Sequence, residues 1–184
     1  MNIIVKPYSG QYCYCRPDTT WERENKDFYV PDGVENLRWA PVLFARISKA
    51  GKHIGAKFVE RYYDSVGFGA LLYAGDEETA FSSCLDHTSI LPAPLYNPAV
   101  LENEGNTYGV FCNGECIAEH SSADYRKLIE EAICAASQRV SLRIGDMVAL
   151  ELDEVKNMTD RSPEGLSFRG QYCENELFDL NIIF

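Results

Sequence analysis

Apolar side chains fall at three- and four-residue intervals along one stretch of the chain: Tyr125, Leu128, Ile129, Ala132, Ile133 and Ala136. That spacing predicts an amphipathic helix, with Lys127, Glu130, Glu131 and Gln138 on its polar side. Ser121, followed three residues later by Asp124, is placed to cap its start, a capping-box-like pair with Asp in place of the usual Glu. Val140-Ser141-Leu142-Arg143-Ile144 then alternates, Gly145-Asp146 predicts a turn, and Met147 to Leu152 alternates again as a buried strand.

Elsewhere the period is two and the pieces are short. Gln11 to Cys15 predicts a strand, Arg16-Pro17-Asp18 a turn, and Pro31-Asp32-Gly33 a stronger turn. Trp39 to Ile47 is a strand with a large apolar payload, and Ser48 to Gly55 a loop carrying Lys49, Lys52 and His53. Ser65 to Ala74 is an apolar run with glycines interleaved, which marks close approach of another backbone, a bulge or a ligand. Pro92, Pro94 and Pro98 make Ser89 to Pro98 an extended connector, neither helix nor central strand. Asn113-Gly114 between Tyr108–Cys112 and Glu115–Glu119 is a hairpin signal of type I′, because both central positions need positive φ. Leu166, Phe168 and Phe178 to Phe184 supply two final short strands. One long helix among many strands predicts an α+β fold in which β dominates. The whole of 1–184 is expected to form one domain, an N-terminal strand-and-turn segment (1–38) leading into a core (39–184).

Composition narrows the function. With 184 residues and 46% hydrophobic side chains, a core needs no disulfide or metal staple. A net charge of -11 argues against nucleic acid and against an anionic membrane surface. The acidic clusters Asp76-Glu77-Glu78 and Glu151 to Glu154 are expected in solvated loops. No run reaches the roughly 18 apolar residues a membrane helix needs, and the start of the chain lacks a basic-then-apolar leader, so the expectation is cytoplasmic. Seven scattered cysteines suit reduced, structural thiols. The alternative, a four-thiolate zinc site from Cys13, Cys15, Cys112 and Cys116, has spacings unlike the usual C-x2-C knuckle.

Asn113-Gly114-Glu115, the helix, and Ser141-Leu142-Arg143-Ile144-Gly145-Asp146-Met147-Val148 form an ordered string. It resembles the C-terminal domain of the fumarylacetoacetate hydrolase family, in which N-G-E precedes a helix leading to "S-x-x-x-T-L-x-x-G-D-x-I". Pro41-Val42-Leu43-Phe44-Ala45-Arg46 looks like that family's "P-x-F-x-K" strand, and Leu85 to Pro94 like its "F-D-x-x-x-P-L-G-P" segment. The resemblance implies a mixed β-roll or sandwich, usually a homodimer, cleaving carbon–carbon bonds beside a ketone. Carboxylates would hold Mg²⁺ or Ca²⁺, which chelates a 2-oxo acid or diketone and stabilises the enolate.

The string departs from the family where the metal belongs. Two Glu at alternate positions, E-x-E-L, are expected after the entry strand, and Val66-Gly67-Phe68-Gly69-Ala70-Leu71 stands there instead. The following Asn-Asp loop has no room between Tyr73 and Ser82, and Ser82-Ser83-Cys84 replaces a Lys. The sequence therefore predicts no metal site and altered or absent catalysis. A working metal-dependent hydrolase or decarboxylase is the second reading, and a structural or protein-binding dimeric subunit the third. Asp86 and His87 are the candidate catalytic residues, with Cys84 beside them as a nucleophile type, against a simpler role in hydrogen-bonding a turn. Arg46, Arg61 and Asp64 are the candidate ligand-binding residues for a small carboxylate or 2-oxo acid, with Lys49, His53 and Glu60 as further polar groups nearby.

Overall fold

Residues 1–75, 80–121, 124–158 and 165–184 are described by a computed structural model of the chain. The acidic cluster at 76–78 lies outside them. In chain order the elements are β1 (Ile3–Lys6), β2 (Tyr14–Arg16), β3 (Trp21–Glu22), β4 (Phe28–Tyr29), β5 (Leu37–Ile47), β6 (Tyr63–Ala74) and β7 (Ser89–Ile90). Then come β8 (Tyr108–Cys112), β9 (Glu115–His120), α1 (Tyr125–Arg139), β10 (Met147–Glu151), β11 (Lys156–Asn157), β12 (Leu166–Tyr172) and β13 (Asn175–Ile183). The expected α+β fold with β dominating is what forms.

Two sheets result. The larger runs β2-β1-β10-β5-β6-β7-β3, with β11 also on β5, and the smaller runs β4-β13-β12-β8-β9. The strands at the two ends of the large sheet, β2 and β3, are joined only by Pro17–Thr20, most of it a 3₁₀ turn. Five residue steps span at most about 17 Å, whereas seven strands side by side in a flat sheet would span about 29 Å. The sheet must therefore curl into a roll, and both faces of its central strands are buried. Along β5 and β6 one alternate set (Leu43, Ala45, Ile47; Val66, Phe68, Leu72) faces α1 and the smaller sheet. The other set (Val42, Phe44; Leu71, Tyr73) faces the inside of the roll, with Ile3, Val5, Met147 and Ala149.

The Asn-Gly hairpin forms as expected, with φ of +49° at Asn113 and +83° at Gly114. So does the Gly-Asp turn: Gly145 sits at φ +88°, and the buried Asp146 accepts from Arg143 N at 2.8 Å and from Asn2 N at 2.7 Å. Asp146 thereby ties the start of the chain beside β10, where β1 pairs in parallel.

Several expectations need correction. α1 starts at Tyr125 without a side-chain cap, and Ser121 Oγ donates instead to Glu104 O at 3.1 Å. Leu128 is exposed: at about 100° per residue it falls on the flank of a stripe that Ser137 extends on the other side. Arg16 is not a turn residue but the buried end of β2. Ser89–Ile90 is a strand paired on both sides, the three prolines following or lying beyond it. Of the second acidic cluster, Glu151 is only 4% exposed and closes β10. Leu142 buries through a lone bridge to Gly51, but Ile144 is exposed on the turn and no strand forms there.

Candidate functional site

The segment Val66–Leu71, where the resemblance would place metal-binding carboxylates, is closed on both faces. On the outer face Val66 and Phe68 are at most 1% exposed. The Phe68 ring stacks on Tyr172 at 4.6 Å and on Tyr108 at 5.1 Å between centroids. Tyr108 is fully buried, and its hydroxyl donates to Gly69 O at 2.7 Å. Toward the inside of the roll, Gly67 and Gly69 carry no side chain and Leu71 is fully buried. A Cβ on Gly69 would lie 2.1 Å from Ile90 O, and one on Gly67 would lie 2.5 Å from the Phe44 ring. Neither face has a carboxylate or space for one.

The inside of the roll holds instead a polar cluster built from distant segments. Arg16 donates through Nε to Ser83 O at 2.9 Å and through Nη2 to Leu72 O at 2.7 Å and Thr88 Oγ1 at 2.8 Å. Its guanidinium lies over the Tyr73 ring. Tyr73 donates to Glu151 Oε1 in a short hydrogen bond, Tyr14 joins through the Tyr73 hydroxyl at 2.7 Å, and Tyr8 N donates to Glu151 Oε2 at 3.0 Å. Burial pushes the Glu151 carboxyl above its ordinary value, against the pull of the Tyr73, Tyr8 and Tyr14 hydrogen bonds and of Arg16. Burial likewise lowers Arg16 and raises Tyr73. A hard divalent cation wants several free oxygen donors in one place. Here one carboxylate is spoken for by tyrosines and sits near a guanidinium, so these residues do not fit the family's metal.

Asp86 and His87 line an open groove of about 520 Å³, together with Lys26, Tyr29, Phe81 and Cys84. His87 Nδ1 lies 3.0 Å from Glu22 Oε2, and Glu22 Oε1 accepts from Glu24 N at 2.6 Å. The Glu22 side chain is 5% exposed and that of His87 58%. Glu22 drew no attention in the sequence, where nothing links it to a histidine 65 residues away. The only hint would have been an acidic residue directly after Trp21 in a strand too short to show a period.

Arg46 and Asp64 answer each other across β5 and β6, Nη2 to Oδ1 at 3.1 Å. Against some desolvation, the Ser65 hydroxyl and Arg46 hold the Asp64 carboxyl below its ordinary value. Arg61 lies over the Phe58 ring, Lys49 over Tyr62, and His53 Nδ1 is 3.2 Å from Gln138 Oε1. None of these lines the groove. None of the seven cysteines forms a disulfide, and among the described residues no three His, Cys, Asp or Glu side chains gather as metal ligands. No helix among the described residues is long and apolar enough to cross a membrane.

Sequence comparison finds no matching family model and no matching curated protein. Solved structures do match along the whole chain. A fumarylpyruvate hydrolase from Pseudomonas aeruginosa, in complex with Mn²⁺ and pyruvate, superposes with a TM-score of 0.83 over 100% of this chain and 90% of its own, at 15% identity. Maleylpyruvate hydrolase from Sphingobium sp. SYK-6, with manganese and pyruvate, gives 0.80 over 99% and 70% at 14% identity. A Yersinia pestis CO92 protein described as of the fumarylacetoacetate hydrolase family gives 0.77 over 99% and 92% at 15% identity. The chain has the fold of the fumarylacetoacetate hydrolase family, in a divergent form.

Proposed function

We propose that this protein keeps the fumarylacetoacetate hydrolase scaffold but not its metal-dependent cleavage of carbon–carbon bonds. The observation that carries this reading is the Val66–Leu71 segment, packed into an aromatic core on one face and against the Ile90 backbone on the other. The buried Arg16–Tyr73–Glu151 cluster supports it, since the Tyr73 and Tyr14 hydroxyls and Tyr8 N already hydrogen-bond the Glu151 carboxyl. The same reading keeps a small carboxylate as ligand and a homodimer as the assembly.

Calorimetric titration with Mn²⁺, Mg²⁺ and Ca²⁺ tests it. No saturable binding is expected at millimolar metal, and no turnover of acylpyruvates with metal present. Stoichiometric micromolar binding, lost in Glu60→Ala or Asp64→Ala, would overturn it and install the active-enzyme reading. Pyruvate added to metal-free protein is expected to bind with an affinity that Mn²⁺ leaves unchanged, and light scattering to return the mass of two chains.

A further inference from the structure

The groove around His87 opens apart from Glu151, although Arg16 holds Ser83 and Thr88 at either end of its Cys84–His87 wall. Burying a carboxylate costs free energy unless its oxygens are hydrogen-bonded, and both oxygens of Glu22 are, one to Glu24 N and one to His87 Nδ1. A carboxylate only accepts, so Nδ1 carries the ring hydrogen, and in the neutral imidazole Nε2 is the nitrogen with a lone pair. The ring is anchored as well as oriented. His87 N donates to Thr19 O at 3.1 Å, and its φ of +60° is a conformation few residues other than glycine adopt. The pair thus presents a positioned acceptor on a half-exposed ring.

Around it the walls are aromatic and wet. Tyr29 is 69% exposed and Phe81 67%, while Phe28 beneath is buried. Large apolar rings left in water at the edge of a concave surface mark a place where something flat can bury them. The volume of about 520 Å³ accommodates one or two rings.

Charge decides between an anion and a neutral ligand. The cation at the rim, Lys26, already pairs with Glu24 at 2.5 Å, and Asp27 and Asp86 flank the groove. A carboxylate entering here would meet these acids, and the lysine among the described lining residues is already paired. A neutral hydroxyl donor would meet the acceptor that Glu22 and His87 provide. We propose that the groove binds a neutral planar phenol, its hydroxyl donating to His87 Nε2 and its ring lying against Phe81 and Tyr29.

The test uses phenol itself, with anisole, which lacks the O–H, and benzoate, which is charged, as comparisons in calorimetric or ligand-observed NMR titrations of the full chain. Phenol is expected to saturate one site at millimolar concentration or below. Anisole and benzoate should bind about tenfold more weakly, the size of one unpaired hydrogen bond. His87→Ala should weaken phenol by a similar factor and abolish the preference over anisole. Phe81→Ala, at an exposed position that does not threaten folding, should weaken phenol and anisole alike by several-fold. Glu22→Gln should narrow the gap between phenol and anisole, an effect that a purely structural role would not produce. Equal binding of phenol and anisole, unchanged phenol affinity in His87→Ala, or no saturable phenol binding to the wild type would each overturn the proposal. None of these outcomes touches metal or pyruvate binding, so the two readings fail separately.

Discussion

Two buried carboxylates, Glu151 inside the roll and Glu22 beside the groove, are nearly equally hidden from solvent and serve different ends. Glu151 is met by the buried Tyr73 hydroxyl and, through it, by the half-buried Tyr14, with Tyr8 N on its other oxygen and Arg16 close by. None of these partners lines a groove, and the cluster stitches β2, β6 and β10 together. Glu22 is met by His87, whose ring reaches the surface of a groove. Burial of an acid is therefore weak evidence for a ligand site. What matters is whether the hydrogen-bonded partner ends in the core or at an opening.

The sharpest way to probe the closed side of that comparison is Phe68→Ala. Removing a fully buried ring stacked between two tyrosines is expected to cost about 3–5 kcal/mol, read as a lower urea midpoint with an unchanged slope. If the loss is under about 1 kcal/mol, the segment is not the close-packed plug described above.

Next comes the pH dependence of Glu151. Its native carboxyl lies above the ordinary value of an unfolded glutamate, so between those two values the folded chain binds more protons than the unfolded one. Stability then falls as pH rises through that window and stays at the lower level above it. Glu151→Gln removes the titration. The wild-type stability minus that of the variant should therefore decline from about pH 4.5 upward, followed by urea unfolding across a pH series. A difference that does not change with pH would mean that burial does not raise the carboxyl.

The smallest effect is expected at the surface pair Arg46–Asp64. Both side chains are nearly half exposed, and solvent screens them. A double-mutant cycle with Arg46→Ala and Asp64→Ala should give a coupling of no more than about 1 kcal/mol, shrinking in salt. A larger, salt-insensitive coupling would give the pair a structural weight like that of the buried roll cluster.

Much of the scaffold was legible because its signals are local. The stripe from Tyr125 to Ala136, the Asn113-Gly114 turn and the Gly145-Asp146 turn each follow from a few adjacent residues and a fixed backbone geometry. The order of those pieces was enough to point to the fold. The sites were less legible. Asp86 and His87 were picked out as residue types, but the partner that positions His87 was not. Glu151 read as one more acid in a charged run, since nothing nearby reveals that Tyr73, 78 residues away, would cover it. Ser89–Ile90 was discounted as a strand because the prolines after it dominate the local pattern, although Ser89 and Ile90 pair with β6 on one side and β3 on the other.

By itself the sequence determined the periodic elements, their order, and the absence of carboxylates between Val66 and Leu71. Side-chain pattern and turn chemistry act over a few residues and need no tertiary context. Only the tertiary structure decided that this segment is sealed on both faces, that Arg16 and Glu151 share the inside of a roll, and that Glu22 orients His87 at a groove. The reason is the four-residue link between β2 and β3, which forces the large sheet to curl and brings together residues that no local rule connects.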